Sequence, residues 1–192
     1  MLLLTKKAEN SYVQDPLESK PKCLFLALNN FPLTLDALLV QAETLFHSEK
    51  SVKEQLEDLC RLLQKQVKHY DWVGFYFANH QTQSLHLKTY EGAPTDHDVI
   101  PFGKGICGQV AESNQNFVVP NVQAQDNYIA CSIHVKSEIV IPIFLDGKNV
   151  GQIDIDSNTL DPFTTEDEHF LEKICALVAE QLKTTHTNPL DL

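Results

Sequence analysis

The stretch that most constrains this chain is SEIVIPIFLDGKNVGQIDIDS, residues 137–157. It holds two apolar runs separated by Asp146-Gly147-Lys148. An Asp-Gly pair at that place is a hairpin signal, because tight hairpin turns need residues that tolerate positive φ. In the second run Ile153 and Ile155 alternate with Asp154 and Asp156. Successive strand residues face opposite sides, so the isoleucines share one face and the aspartates the other. The hairpin brings Glu138 across from the region of Asp156. One face of a sheet is thereby apolar, and the other gathers three carboxylates.

Two readings of that acidic face stay open. The plain one is a solvated surface with exposed acids. Against it, aspartate is poorly suited to strands, and like charges about 7 Å apart on one face repel. The alternative is a site for a ligand's ammonium group. Crowding would raise the pKa of at least one member, which could then act as a general acid. Three carboxylates can also hold Mg²⁺ or Ca²⁺. No Asp/Asn/Gly loop of the calcium-binding type is present, so no metal is expected.

The remaining pattern supplies the frame. Thr34–His47 has helical spacing behind a threonine N-cap. Ser51–Tyr70 reads as a second helix, and Ser51 and Glu54 have the form of a capping box. WVGFYFA, residues 72–78, switches to strand character and returns through residues 84–90 as a hairpin. A polar loop over residues 92–99 follows. Gly103, Gly105 and Gly108 bracket the start of a short helix ending near Ser113. Residues 117–119 form a short strand, and residues 120–132 an irregular excursion. Residues 162–182 form the closing helix, with a capping box at Thr165 and Glu168. Tight hairpins flanked by helices at both ends give an α+β fold with an antiparallel sheet. The compact domain runs over residues 34–184. Residues 1–33 form an extended N-terminal arm, and residues 185–192 a polar tail that frays.

Charge narrows the function classes. With 15 Lys and Arg against 26 Asp and Glu, the net charge is −11. Nucleic acid and anionic membranes both need a basic face, and neither is an expected partner. No apolar run is long enough to span a bilayer. The expected location is cytoplasmic.

Five cysteines, none in a CxxC pair, argue against a disulfide framework or a zinc site. Cys60 and Cys175 fall within helical patterns and read as small buried hydrophobes. Cys107 lies between glycines at a helix start, where the helix N-terminus favours a thiolate. Cys131 lies in the irregular excursion. The two could pair reversibly if their loops meet, or be unrelated. Trp72 and Tyr76, four apart in a strand, share a face, as core packing or as the wall of a ligand pocket. His97 and the other histidines show no ligand spacing and read as loop or surface residues.

Together the motifs WVGFY (72–76), GKGICG (103–108), IACS (129–132), SEIVIPI (137–143), GQIDIDS (151–157) and FTTEDEHFL (163–171) resemble the GAF-domain family of free methionine-(R)-sulfoxide reductases. The resemblance covers roughly residues 34–182. It implies a six-stranded antiparallel sheet with helices packed on one face and ligand-enclosing loops on the other. It also implies a homodimer that reduces free L-methionine-(R)-sulfoxide, with thioredoxin as the external reductant and no bound cofactor. By motif, Cys131 matches the nucleophile and Cys107 the resolving cysteine. Glu138, Asp154 and Asp156 match the carboxylates that hold substrate, and Trp72 and Tyr76 the aromatic wall near its methyl group. Members commonly carry a third cysteine ten residues before the one in GxCG, and here that position is His97. A second possibility is a GAF-like module without enzymatic activity that binds a small molecule and signals.

Overall fold

The structure, a computed structural model, describes residues 34–127 and 134–192. The arm assigned to residues 1–33 and the cysteine Cys131 lie outside the described residues. Two helices come first, α1 (Leu35–Phe46) and α2 (Val52–Gln66), followed by β1 (Trp72–Asn79), β2 (Ser84–Glu91) and β3 (Val99–Pro101). Then come α3 (Gly105–Ser113), β4 (Phe117–Val119), β5 (Ser137–Leu145), β6 (Lys148–Ser157) and α4 (Thr165–Thr184). The strands form one six-stranded sheet in the order β3-β2-β1-β6-β5-β4, and every neighbouring pair is antiparallel. This is the expected α+β architecture.

The two faces of the sheet pack differently. Val73, Phe75 and Phe77 of β1 join Ile139, Ile141 and Ile143 of β5 and Ile153 and Ile155 of β6 on one side. Leu56, Leu59 and Leu63 of α2, Leu38 and Ala42 of α1, and Phe170, Ile174 and Val178 of α4 close over them. Each such large side chain, fully buried, contributes roughly 1.5–3 kcal/mol relative to exposure, so this layer is the main source of stability. Cys60 and Cys175 are buried here as expected, and burial pushes both thiols well up. The opposite face carries Trp72, Tyr76, Val119 and Val140, covered by Ile106, Cys107, Val110 and Ala111 of α3. Three helices therefore share one face, and the short α3 lies on the other.

Four details differ from the sequence reading. Helix α2 stops at Gln66, four residues early. Val67 turns extended at φ −105 and ψ 113, and Tyr70 uses its hydroxyl to donate to Asp167 Oδ1 at 3.0 Å. Strand β3 pairs with residues 84–86 of β2; three residues ending in proline are too short to show alternation. The second capping box is built one residue earlier, with Thr164 as N-cap and Asp167 reaching back to it. The tail does not fray: Pro189–Asp191 forms a 3₁₀ turn, Lys88 Nζ donates to Leu190 O at 2.6 Å, and Leu190 and Leu192 pack against the core.

Among the described residues, no helix is long and apolar enough to cross a membrane.

Candidate active site

The site begins with strand register. Across β5 and β6, Glu138 pairs with Asp156 and Val140 with Asp154. Across β1 and β6, Trp72 pairs with Asp156, Gly74 with Asp154 and Tyr76 with Gln152. Directly opposed residues point to the same side, so three carboxylates and two aromatics share one face. The Asp146-Gly147 turn sets this register, with φ 49 and 78 at its two central residues and Leu145 paired to Lys148 around it.

That face is not solvated. Glu138 is 4% exposed, and Asp154 and Asp156 are each 2% exposed. The reading of the aspartates as surface acids is overturned, because α3 and the loop before it cover the strands. Asp154 Oδ1 and Asp156 Oδ1 have no hydrogen-bond partner among the described residues. Burial raises Asp154 to about 7, against bonds with Cys107 and Glu138 that lower it. Glu138 is held well above the carboxylate range by burial first, then by the charges of Asp154 and Asp156. Asp156 is raised by burial, then by Asp154 and Asp71. The cluster shares protons at neutral pH, so it can donate one as well as hold a cation.

Cys107 reaches the cluster from the first turn of α3. Its approach depends on glycines: Gly103 and Gly105 take φ +75 and +63, and a Cβ on Gly108 would lie 2.5 Å from Pro101 O. The loop closes on itself, with Gly103 N–H donating to Gly108 O at 2.7 Å. Asn127 clips it, donating from Nδ2 to Gly103 O at 2.8 Å and accepting from Gly105 N–H at 3.3 Å. Cys107 Sγ then lies 3.9 Å from Glu138 Oε1. One donor atom each from Cys107, Glu138 and Asp154 lies within 4.8 Å of the others. These three residues line a cavity of about 10 Å³ together with His97, Ile100 and Lys104.

The aromatics form the neighbouring wall. Trp72 lies over Gly74, where an added Cβ would sit 2.2 Å from the indole ring. The indole stacks on Tyr90 with centroids 5.4 Å apart and planes at 18°. Its Nε1–H donates to Ala93 O at 3.1 Å, and Tyr76 donates its hydroxyl to His97 O at 3.0 Å. Both rings thus tie down the loop over residues 92–98. A second cavity of about 90 Å³ is lined by Trp72, Asp156, Thr95, His134 and Val135, among others.

The structure therefore unites Cys107, Glu138 and Asp154 around one cavity and Trp72 and Asp156 around the next, with Tyr76 anchoring the loop between. Sequence reasoning did not anticipate that His97 and Lys104 would border the first cavity. The ten-residue spacing from His97 to Cys107 was the available signal. It also passed over Gln152, fully buried on this face with neither amide atom partnered among the described residues.

A family model described as GAF domain matches residues 49–182. The free methionine-R-sulfoxide reductase of Escherichia coli strain K12 is 33% identical over 141 residues, covering 73% of this chain and 84% of that protein. A solved structure of free methionine-R-sulfoxide reductase from Neisseria meningitidis in complex with its substrate superposes with a TM-score of 0.75. It is 30% identical, over 79% of this chain and 90% of that one. The chain belongs to the GAF-domain family of free methionine-(R)-sulfoxide reductases. The fRMsr of Staphylococcus aureus, solved in complex with substrate, is also similar, at 35% identity and a TM-score of 0.71 over 79% of this chain and 97% of that one. As a member of the GAF-domain reductases, the chain carries the family's sheet from its outer strand β3 to its outer strand β4.

Proposed function

We propose that this protein reduces free L-methionine-(R)-sulfoxide to methionine. The observation that carries the reading is the buried group of Glu138, Asp154 and Asp156 beside the Cys107 thiol and under the Trp72 indole. Three desolvated carboxylates are costly to keep unless a ligand offsets them. A free amino acid brings an ammonium group that does so, and a sulfoxide oxygen that accepts a proton from one of the raised acids. Trp72 and Tyr76 give the sulfur's methyl group an apolar surface.

The Cys131 thiolate attacks the sulfoxide sulfur while a cluster carboxyl protonates the oxygen. Methionine leaves, and the oxygen remains on Cys131 as a sulfenic acid. The Cys107 thiol condenses with it, forming a disulfide and releasing water. Thioredoxin's dithiol then reduces that disulfide by exchange and is itself oxidised. His97 stands where a third thiol is common, so this scheme needs only two cysteines. A homodimeric, cytoplasmic enzyme that repairs free methionine during oxidative stress fits this chemistry.

The test is NADPH oxidation coupled through thioredoxin and its reductase, with free methionine-(R)-sulfoxide as substrate. Turnover is expected, and its absence at high enzyme concentration sinks the reading. Cys131→Ser should abolish turnover while leaving substrate binding intact; retained turnover reassigns the nucleophile. Cys107→Ser should complete one reduction and stall as a trappable sulfenic acid.

A further inference from the structure

The acidic cluster and the thiol have a second use that substrate chemistry does not require. We propose that the reduced protein binds Zn²⁺ through Cys107 Sγ and one carboxylate oxygen each from Glu138 and Asp154. The three donors come from α3, β5 and β6, and all lie within 4.8 Å of one another. In a tetrahedral zinc site, Zn–S bonds of about 2.3 Å and Zn–O bonds of about 2.0–2.2 Å put sulfur and oxygen roughly 3.5 Å apart. Cys107 Sγ and Glu138 Oε1 already stand at 3.9 Å, so closing that pair around the ion takes a shift of a few tenths of an ångström, and the Asp154 oxygen has to close in from within 4.8 Å.

A separate feature points to a ligand at this place. Asp154 is 2% exposed, lines the cavity shared with Cys107 and Glu138, and keeps Oδ1 without a hydrogen-bond partner among the described residues. A dication satisfies that oxygen and offsets the buried negative charge. The donor types select the metal: Mg²⁺ and Ca²⁺ want all-oxygen shells of six or more ligands, whereas a thiolate with two carboxylates suits Zn²⁺. The cavity of about 10 Å³ that the donors line holds about one water-sized occupant, which is the place of the ion.

Binding expels the thiol proton and any proton that the carboxyls share, so affinity rises with pH. It also depends on redox state. Cys107 in a disulfide offers no thiolate, and the ion is released. Bound zinc in turn withholds Cys107 from disulfide formation. The site is thus a redox-linked zinc site that holds the reduced protein idle.

Cobalt serves as the visible probe. Full-length protein reduced with a phosphine should take up one Co²⁺ per chain, with a thiolate-to-cobalt charge-transfer band that Zn²⁺ displaces stoichiometrically. The band should be absent from protein oxidised to the disulfide and from Cys107→Ser, and present in Cys131→Ser. Glu138→Gln and Asp154→Asn, both near-isosteric, should each weaken binding at least about tenfold. No band in reduced wild-type protein overturns the proposal, as does a band that survives Cys107→Ser or carboxamide variants that bind like wild type. The readout is metal binding, so it stands apart from whether methionine sulfoxide is turned over.

Discussion

Glu138 stands directly opposite Asp156 across the β5–β6 ladder, and both are buried. Opposed carboxylates of this kind repel unless a proton or a cation lies between them. Asp156→Asn should therefore stabilise the ligand-free protein at pH 8 by about 1–2 kcal/mol, at roughly one pKa unit of relieved repulsion. The same change should raise KM at least about tenfold, since it removes a charge offered to the ammonium group. A thermal melt and a KM measurement check both halves. A lower Tm or an unchanged KM counts against the pairing described here.

The pH dependence of stability follows from Asp154. Its folded value is raised to about 7 from 3.8, burial being the largest cause. A group raised on folding contributes stability that is complete below its unfolded pKa and is lost as pH rises through its folded pKa. Glu138 and Asp156 shift in the same direction. Ligand-free Tm should accordingly fall between pH 5 and pH 8, and Asp154→Asn should flatten that fall. A melting series in chelator-treated buffers measures it; a Tm that climbs over this window would contradict the protonated cluster.

Asp167 works in the opposite sense. Burial tends to raise it, but bonds from His69 and Thr164 outweigh that and hold it near about 2. Its Oδ1 meets His69 Nε2 and the Tyr70 hydroxyl at 3.0 Å each, and its Oδ2 accepts from Thr164 N–H at 2.8 Å. Stability from this group is present above its unfolded pKa and is lost as pH falls through about 2. Asp167→Asn should cost on the order of 2 kcal/mol at pH 7. It should also reduce the acid-side slope of stability below pH 4. Urea unfolding at pH 7 and pH 3 separates the two effects.

Gly74→Ala tests the aromatic wall. The added methyl would sit 2.2 Å from the Trp72 ring, which must leave its place over the strand. Overpacking of this kind costs typically about 1–3 kcal/mol. Trp72 is the single tryptophan, so its fluorescence reports the displacement without background. A red-shifted emission and weaker substrate binding are expected. An unchanged spectrum would mean that the ring tolerates the methyl.

The parts of the fold legible in the sequence were those with local signatures. Ser51 and Glu54 close their capping box as written, and the Asp146-Gly147 turn fixes the hairpin. The alternation of Ile153, Asp154, Ile155 and Asp156 assigned both faces correctly. It could not say whether the acidic face met water, because burial there depends on α3 (Gly105–Ser113), distant in sequence from Asp154 and Asp156. The end of α2 at Gln66 was hidden for a similar reason: the helical spacing continues to Val67, and Tyr70 is drawn away by Asp167, distant in sequence. His97 and Lys104 gave no periodic signal because loop geometry brings them to the cavity; for His97 the sole pointer was its place ten residues before Cys107. The cysteine read as nucleophile, Cys131, falls outside the described residues.

Strand β6 serves two masters at adjacent positions, Ile153 and Ile155 in the core and Asp154 and Asp156 in the site. Inserting or deleting one residue next to the Asp146-Gly147 turn would send the isoleucines into the cavity and the aspartates under α4. Folding and chemistry would fail together, with no intermediate stage. A change of length is therefore ruled out in this hairpin, and engineering of substrate preference on β6 has to proceed by substitution.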